Sequence, residues 1–258
     1  MCTLIVLHRC FADAELLVAA NRDESLDRPA EPPALRCWNG RNVLAPRDVR
    51  AGGTWLGMND AGLFAALTNR PNRAPDASRR SRGLLVSDAL AAPDAAAAAA
   101  TLAGLPPGAY NSFNLFVCDR DEAFVVVYEE KPELRRLAAG AHVIGNGDPD
   151  SRRLPKVARL LDEAEGIAKG SSEAALPALA SACRVHRGGN PLDDTCIHAG
   201  SYGTRSSTLI RWGSRREANA FRFAEGPPCH TEYNDLTALL TQLDGTGMRA
   251  GAAKRDHA

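Results

Sequence analysis

Met1-Cys2-Thr3-Leu4-Ile5-Val6, read together with Leu16-Leu17-Val18-Ala19-Ala20-Asn21-Arg22-Asp23-Glu24, is the pair of stretches around which the rest of this sequence falls into place. Thr3 to His8 and Glu15 to Ala20 are apolar, β-leaning runs separated by a polar turn at Ala12-Asp13. They predict a hairpin that delivers Cys2 to one edge of a sheet, beside the charged end of its partner strand. An initiator methionine is normally removed before a small residue. Cys2 would then carry a thiol and a free α-amine together, titrating near ~8.5 and ~7.7–8.0 respectively, both close to working pH. Such a residue is a nucleophile with its own general base. Met-Cys alone means little, since any chain can begin that way; the blocks downstream give it weight.

Those blocks follow a consistent order. After Asn21-Arg22-Asp23-Glu24 come Arg28-Pro29, then GGTWLGMNDAGLFAALTNR (52–70), VIGN (143–146), Pro155-Lys156-Val157 and YGTRSST (202–208). Taken together they resemble the NRDE family (Transport and Golgi organisation protein 2-like), over roughly residues 1 to 225. The resemblance implies an α+β fold, the four-layer αββα sandwich of N-terminal nucleophile hydrolases, with two mostly antiparallel sheets. It also implies two functions for the pocket: hydrolysis or acyl transfer at an amide-type bond, or haem and acyl-CoA or lipid handling without catalysis.

The chain itself points the same way in fold. Strand-like runs, two helices (Leu84 to Ala91 and Asp94 to Leu105, broken at Pro93), more strands, two further helices (Arg153 to Lys169 and Glu173 to Cys183) and closing strands alternate. That order suits two stacked sheets between helical layers. Asn39-Gly40 is a hairpin signal. Gly52-Gly53 reads as a turn: no Gly-Lys-Ser/Thr follows that would make it a phosphate loop. We expect one domain over residues 1–245 and a disordered tail at 246–258, small and polar in composition.

Lys plus Arg and Asp plus Glu both number 31, so nothing announces nucleic acid or an acidic membrane as partner. The longest early apolar run, Leu4 to Leu7, is too short for a signal peptide or a membrane span. Seven cysteines without paired spacing suit a reducing cytoplasm. A small-molecule substrate or ligand is the expected partner.

Amide cleavage needs a nucleophile, a base, an oxyanion hole and a group that holds the nucleophile. Cys2 supplies the first two. By resemblance to bile salt hydrolases and penicillin V acylases, Asn-x-Asp closes the second strand and its Asp contacts the nucleophilic amine; that places the role on Asp23. Where many of those enzymes carry an arginine just before the triplet, this chain has Ala20. Arg22 is the substitute at hand, although a regular strand is expected to turn it to the other face. The same resemblance makes Asn69 and Asn146 oxyanion donors and Arg205 the late anchoring arginine; as bare sequence, Asn146-Gly147 also reads as a turn. The basic loop Arg70 to Arg82 reads as a solvated face or an anion-binding lip.

Two other constellations stand out. His8 and Cys10 share a strand face expected to lie close to Cys2, as core or as site lining. Cys183-x-x-His186 with Cys196-x-His198 is a possible zinc set, but the second pair is tight for a finger and no metal or other cofactor is expected. Haem would enter only under the binding reading, and no Cys-Pro haem-regulatory dipeptide occurs in the sequence.

Overall fold

The computed structural model describes residues 2–71 and 75–243. The expected tail, and the end of the domain at residue 245, lie outside them. The strands of the first half are β1 (Cys2–Phe11), β2 (Ala14–Ser25), β3 (Ala30–Trp38), β4 (Arg41–Asp48), β5 (Leu56–Asn59) and β6 (Phe64–Asn69). Helices α1 (Arg82–Ala89) and α2 (Ala95–Ala103) follow, then β7 (Phe113–Cys118), β8 (Ala123–Tyr128), β9 (Pro132–Leu137) and β10 (Gly140–Ile144). Helices α3 (Pro155–Ile167) and α4 (Ser172–Cys183) precede β11 (His198–Ala199), β12 (Tyr202–Trp212), β13 (Ala220–Ala224) and β14 (Asn234–Asp235).

Two antiparallel sheets result. One runs β10-β1-β2-β12-β13-β14, with β11 paired to β12; the other runs β3 to β9 in chain order. Alternation along each strand sorts the side chains into layers. On β1 and β2, Leu4, Val6, Leu16 and Val18 face the second sheet, where they meet Leu44, Met58, Phe64 and Phe116. Ile5, Leu7, Leu17 and Ala19 face the other way, onto Val157, Leu160 and Leu161 of α3 and Leu176 and Leu179 of α4. The outer face of the second sheet is covered by α1 and α2 through Leu85, Val86, Ala98 and Leu102. Each fully buried aliphatic or aromatic side chain of these three cores contributes roughly 1.5–3 kcal/mol. The four layers are thus helices, sheet, sheet, helices, as the sequence predicts.

Local chemistry sets the boundaries. Asn39 and Gly40, at φ 51° and 76°, supply the two positive dihedrals of a tight hairpin between β3 and β4. Ser81, Asp94 and Ser171 cap α1, α2 and α4 through side-chain acceptors, and Pro155 opens α3. Arg28 and Pro29 lead into β3 at Ala30, with a register irregularity between Glu31 and Ala34 absorbing Pro32 and Pro33. Among the described residues no helix is long and apolar enough to cross a membrane.

Candidate active site

The hairpin β1–β2 places Cys2 directly opposite Arg22. Opposed residues of an antiparallel pair share a face, so Cys2, Arg22, Leu4 and Ala20 all point between the sheets. This corrects the expectation for Arg22. The strand is regular here, and the same period of two that puts Leu4 and Val6 in the inter-sheet core puts Arg22 beside the thiol. Asp23, one residue on, faces the helices.

Cys2 lines a cavity of ≈ 100 Å³ at the open end of the sandwich, together with Arg22, Trp55, Leu67, Asn69 and Arg82. The Arg22 guanidinium lies over the Trp55 ring, 4.2 Å from its centroid. Arg22 is 4% exposed, and its Nη1 has no hydrogen-bond partner among the described residues. Burial lowers its pKa, as it does for Arg82, and the nearby thiol opposes that shift. Burial also raises the Cys2 thiol above its ordinary value, while a main-chain hydrogen bond from Asp23 and the charge of Arg22 pull it back toward thiolate.

Asp23 is buried on the helix side. Thr204 Oγ1 donates to its Oδ1 at 2.7 Å, and the Tyr202 hydroxyl donates to its carbonyl at 2.8 Å. Desolvation pushes its pKa up to about 6, against the pull of Lys156 on α3 and of the Thr204 bond. Asn69 closes β6 at the rim of the cavity, and its carbonyl accepts from Asn146 Nδ2 at 2.5 Å. The two expected oxyanion asparagines therefore do meet, but differently: Asn69 lines the Cys2 cavity, whereas Asn146 braces Asn69 and lines a separate groove. Arg205 is the odd residue where the β12 register slips between Thr204 and Ser206. It lines a crevice with Glu31 and Glu225 on the far side of Arg22 and Trp55, and not the Cys2 cavity.

His8 is buried, with Nε2 against the Asp119 carbonyl at 2.9 Å. Six residues along the strand from Cys2, it lies about 20 Å away, so the expectation of a neighbouring histidine is corrected.

Several cavity residues went unassigned by sequence reasoning. Arg28 pairs with Asp48 (Nη2 to Oδ2, 2.7 Å) and shapes one wall, while Glu24 stands 3.9 Å from it. Of the basic loop, Arg82 alone among its described arginines reaches the cavity. Arg70 is taken up by Glu129 and Asp148, and Arg79 and Arg80 by the carbonyl and hydroxyl of Tyr110. Arg82 is aimed by a close approach: a Cβ on Gly53 would lie 2.2 Å from the carbonyl carbon of Gly83. Only glycine fits there, and the glycine pair is the signal that was available. Gly52, at φ 79°, makes the expected turn; Gly53 makes the contact.

A second opening, ≈ 500 Å³, lies on the helix side of the first sheet among Thr3, Val143, Leu154, Val157 and Leu160. It adjoins the Cys2 cavity across the Asn69–Asn146 bond.

This architecture has counterparts among solved structures. Penicillin V acylase from Agrobacterium tumefaciens superposes over 92% of this chain and 86% of its own, with a TM-score of 0.53 at 14% identity. A Caenorhabditis elegans N-acylethanolamine-hydrolyzing acid amidase ortholog covers 81% of this chain and 92% of its own, with a TM-score of 0.54 at 12% identity. A mutant conjugated bile acid hydrolase from Clostridium perfringens covers 95% and 94%, with a TM-score of 0.51 at 15% identity. At such identities the likeness is one of fold, that of the N-terminal nucleophile hydrolases. In sequence, the chain is 30% identical over 232 residues to the Transport and Golgi organization 2 homolog of Mus musculus, covering 76% of this chain and 81% of that protein. The Homo sapiens homolog is 28% identical over 230 residues, with the same coverage. Residues 1–225 match the family described as Transport and Golgi organisation 2. The chain belongs to the Transport and Golgi organisation 2 family.

Proposed function

We propose that this protein is an N-terminal-cysteine hydrolase or acyltransferase acting on an amide-type C–N bond. The observation that carries the reading is the Cys2 thiol in a small polar cavity, directly opposite a buried guanidinium that keeps a donor unspent. Once Met1 is removed, the Cys2 amine takes the thiol proton and the sulfur attacks the carbonyl carbon. The C–N bond breaks, and the departing amine leaves with that proton. Water, or another nucleophile, then splits the thioester and restores the thiol. In this reading the Asn69 side-chain amide donates to the developing oxyanion and Arg22 favours the thiolate. Asp23, on the helix side, is available to the α-amine rather than to the sulfur. Arg22 and Arg82 together suit a substrate bearing an anionic group near the scissile bond. The neighbouring fold counterparts are named for acylase and amidase activities, which agrees with this class. A reducing, cytoplasmic setting would keep the thiol active.

The second reading is a carrier of acyl-CoA, lipid or haem. The ≈ 500 Å³ groove favours an acyl chain, because Val143, Leu154, Val157 and Leu160 line it and its Asn146 is hydrogen-bonded to Asn69 of the Cys2 cavity. His8 offers this reading nothing, being bonded and distant.

Intact mass of the purified protein, before and after incubation with panels of acyl amides, lactams and thioesters, separates the two. The expected result is loss of Met1 and a mass gain at Cys2 that is absent in Cys2→Ala. Retention of Met1 in essentially every molecule would remove the mechanism. Stoichiometric retention of acyl-CoA or haem without any acylation would decide for the carrier.

A further inference from the structure

Away from the Cys2 cavity, four metal-binding side chains converge from three separate segments. His186 follows α4, Cys196 and His198 flank the start of β11, and Cys229 lies in the loop after β13; one ligand atom from each falls within 4.8 Å of the others. His198 Nε2 is 3.8 Å from Cys196 Sγ and 3.2 Å from Cys229 Sγ. The His186 and His198 rings stand 5.0 Å apart, centroid to centroid. A tetrahedral zinc with Zn–N near ~2.0–2.1 Å and Zn–S near ~2.3 Å has ligand edges of about 3.3–3.8 Å. The two measured edges already bracket that range, and exposed His186 can close the remainder by rotation.

The cluster differs from the pattern suggested by spacing. Cys183 belongs to the core between α4 and the first sheet, and its carbonyl accepts from Asn21. Cys229, some thirty residues downstream of the pair at 196 and 198, takes its place. We propose that His186, Cys196, His198 and Cys229 form a structural zinc site.

Charge and framework both suit it. Two thiolates and two neutral imidazoles give a site of zero net charge with Zn²⁺, and sulfur with imidazole is a zinc donor set. Four protein ligands leave no open position, so the role is structural and independent of the acyl chemistry. The Asp194 carboxylate lies 3.9 Å from His186 Nδ1, where it can orient a ligating ring, and it is fixed by the Arg187 N–H at 2.7 Å. The Cys196 N–H bonds the Val185 carbonyl, and the Ile197 N–H bonds Thr204 Oγ1, so the ligand loop is already tied down. Thr204 is also the donor to Asp23. A metal here would therefore clamp the β11–β12 turn over the buried carboxylate of the Cys2 hairpin.

The test is metal analysis of the full chain, purified without a polyhistidine tag and under reducing conditions, followed by cobalt substitution. About one zinc per chain is expected, together with tetrahedral ligand-field and sulfur-to-cobalt charge-transfer bands on loading Co²⁺. Cys229→Ser, in a partly exposed loop where folding should survive, is expected to weaken metal retention by roughly tenfold or more. His198→Ala should do the same, whereas Cys183→Ala should retain the metal. A reduced, folded protein that takes up neither zinc nor cobalt overturns the proposal. So does a native mass lower by two hydrogens with Cys196 and Cys229 cross-linked, or unchanged metal binding in the Cys196→Ser, Cys229→Ser double variant.

Discussion

Two buried arginines on the same sheet end up in opposite circumstances. Arg22 on β2 is 4% exposed and Arg211 on β12 is 3% exposed, so their desolvation is comparable. Arg211 is built into the closed end of the sandwich: Nη2 donates to Asp13 at 2.7 Å and Ser172 at 3.0 Å, and Nη1 to the Ala218 carbonyl at 2.8 Å. Arg22 sits at the open end, with a tryptophan face in place of a carboxylate. Each guanidinium leaves one nitrogen unmatched within the described residues, Nη1 of Arg22 and Nε of Arg211, so the difference lies in the missing carboxylate. A buried cation normally has a partner, because the cost of desolvation otherwise stands alone. Arg211 therefore reads as structure. Arg22, the costlier of the two to keep, reads as a group held ready for something that enters the cavity.

The largest effect that bears on this contrast belongs to the open end. If Asn69 donates to an oxyanion, Asn69→Ala should cut kcat by about 10²–10³-fold, equivalent to ~2.7–4 kcal/mol, while the melting temperature hardly moves. Steady-state kinetics beside calorimetry checks it. A loss confined to KM would move Asn69 from chemistry to binding.

Next comes the exchange of the two arginines for methionine. Arg211→Met removes the bonds to Asp13, Ser172 and the Ala218 carbonyl, although Ser172 still donates to Asp13. It should cost roughly 2 kcal/mol in denaturant unfolding, since charge-assisted bonds are lost from a site that Asp13 leaves partly open to solvent. Arg22→Met removes a buried charge that has no carboxylate partner, so its stability should stay within about 1 kcal/mol of the parent or rise. Alkylation of Cys2 by limiting iodoacetamide should nevertheless slow, because the thiolate loses its cation. Equal destabilisation by both substitutions would end the distinction drawn here.

The smallest effect comes from a third buried cation that does have its partner. Burial disfavours the charged form of His142, but the Asp150 carboxylate at 2.7 Å and the Ala138 carbonyl at 2.9 Å outweigh it and raise the imidazole above its ordinary value. A raised folded-state pKa contributes stability that is complete below the unfolded value of about 6.5 and lost as pH rises through the folded one. The melting temperature should therefore fall as pH rises past about 6.5 and through the folded-state value. His142→Gln should flatten that slope. A slope unchanged in the variant would assign the proton to another group.

The sequence by itself determined most of the strands and helices and the alternation along each, but not that Arg22 shares the face of Cys2. Period-two alternation from Leu16 to Asp23 sets which of these side chains share a face, but a regular hairpin closed at Ala12-Asp13 would set Cys2 against Asp23. The bulge between His8 and Phe11, with Arg9 at φ 55°, shifts the register by one and sets Cys2 against Arg22. Asn39-Gly40, Asp94 and Pro155 mark their turns and helix starts through dihedral and capping preferences that act within a few residues. What reaches across the chain was settled only by tertiary structure. Nothing near Arg82 in sequence tells it apart from Arg79 or Arg80; the Gly53–Gly83 approach does, by setting where α1 begins. Asn146 and Arg205 sit in recognisable blocks, yet one is drawn to the Asn69 carbonyl and the other displaced by a slip of β12. Cys229 joins His186, Cys196 and His198 because β13 returns its following loop to the β11 turn, while nearer Cys183 is committed to the core. Local spacing encodes periodicity and turn chemistry, whereas which distant groups meet depends on how the layers pack, and a period of a few residues carries no record of that.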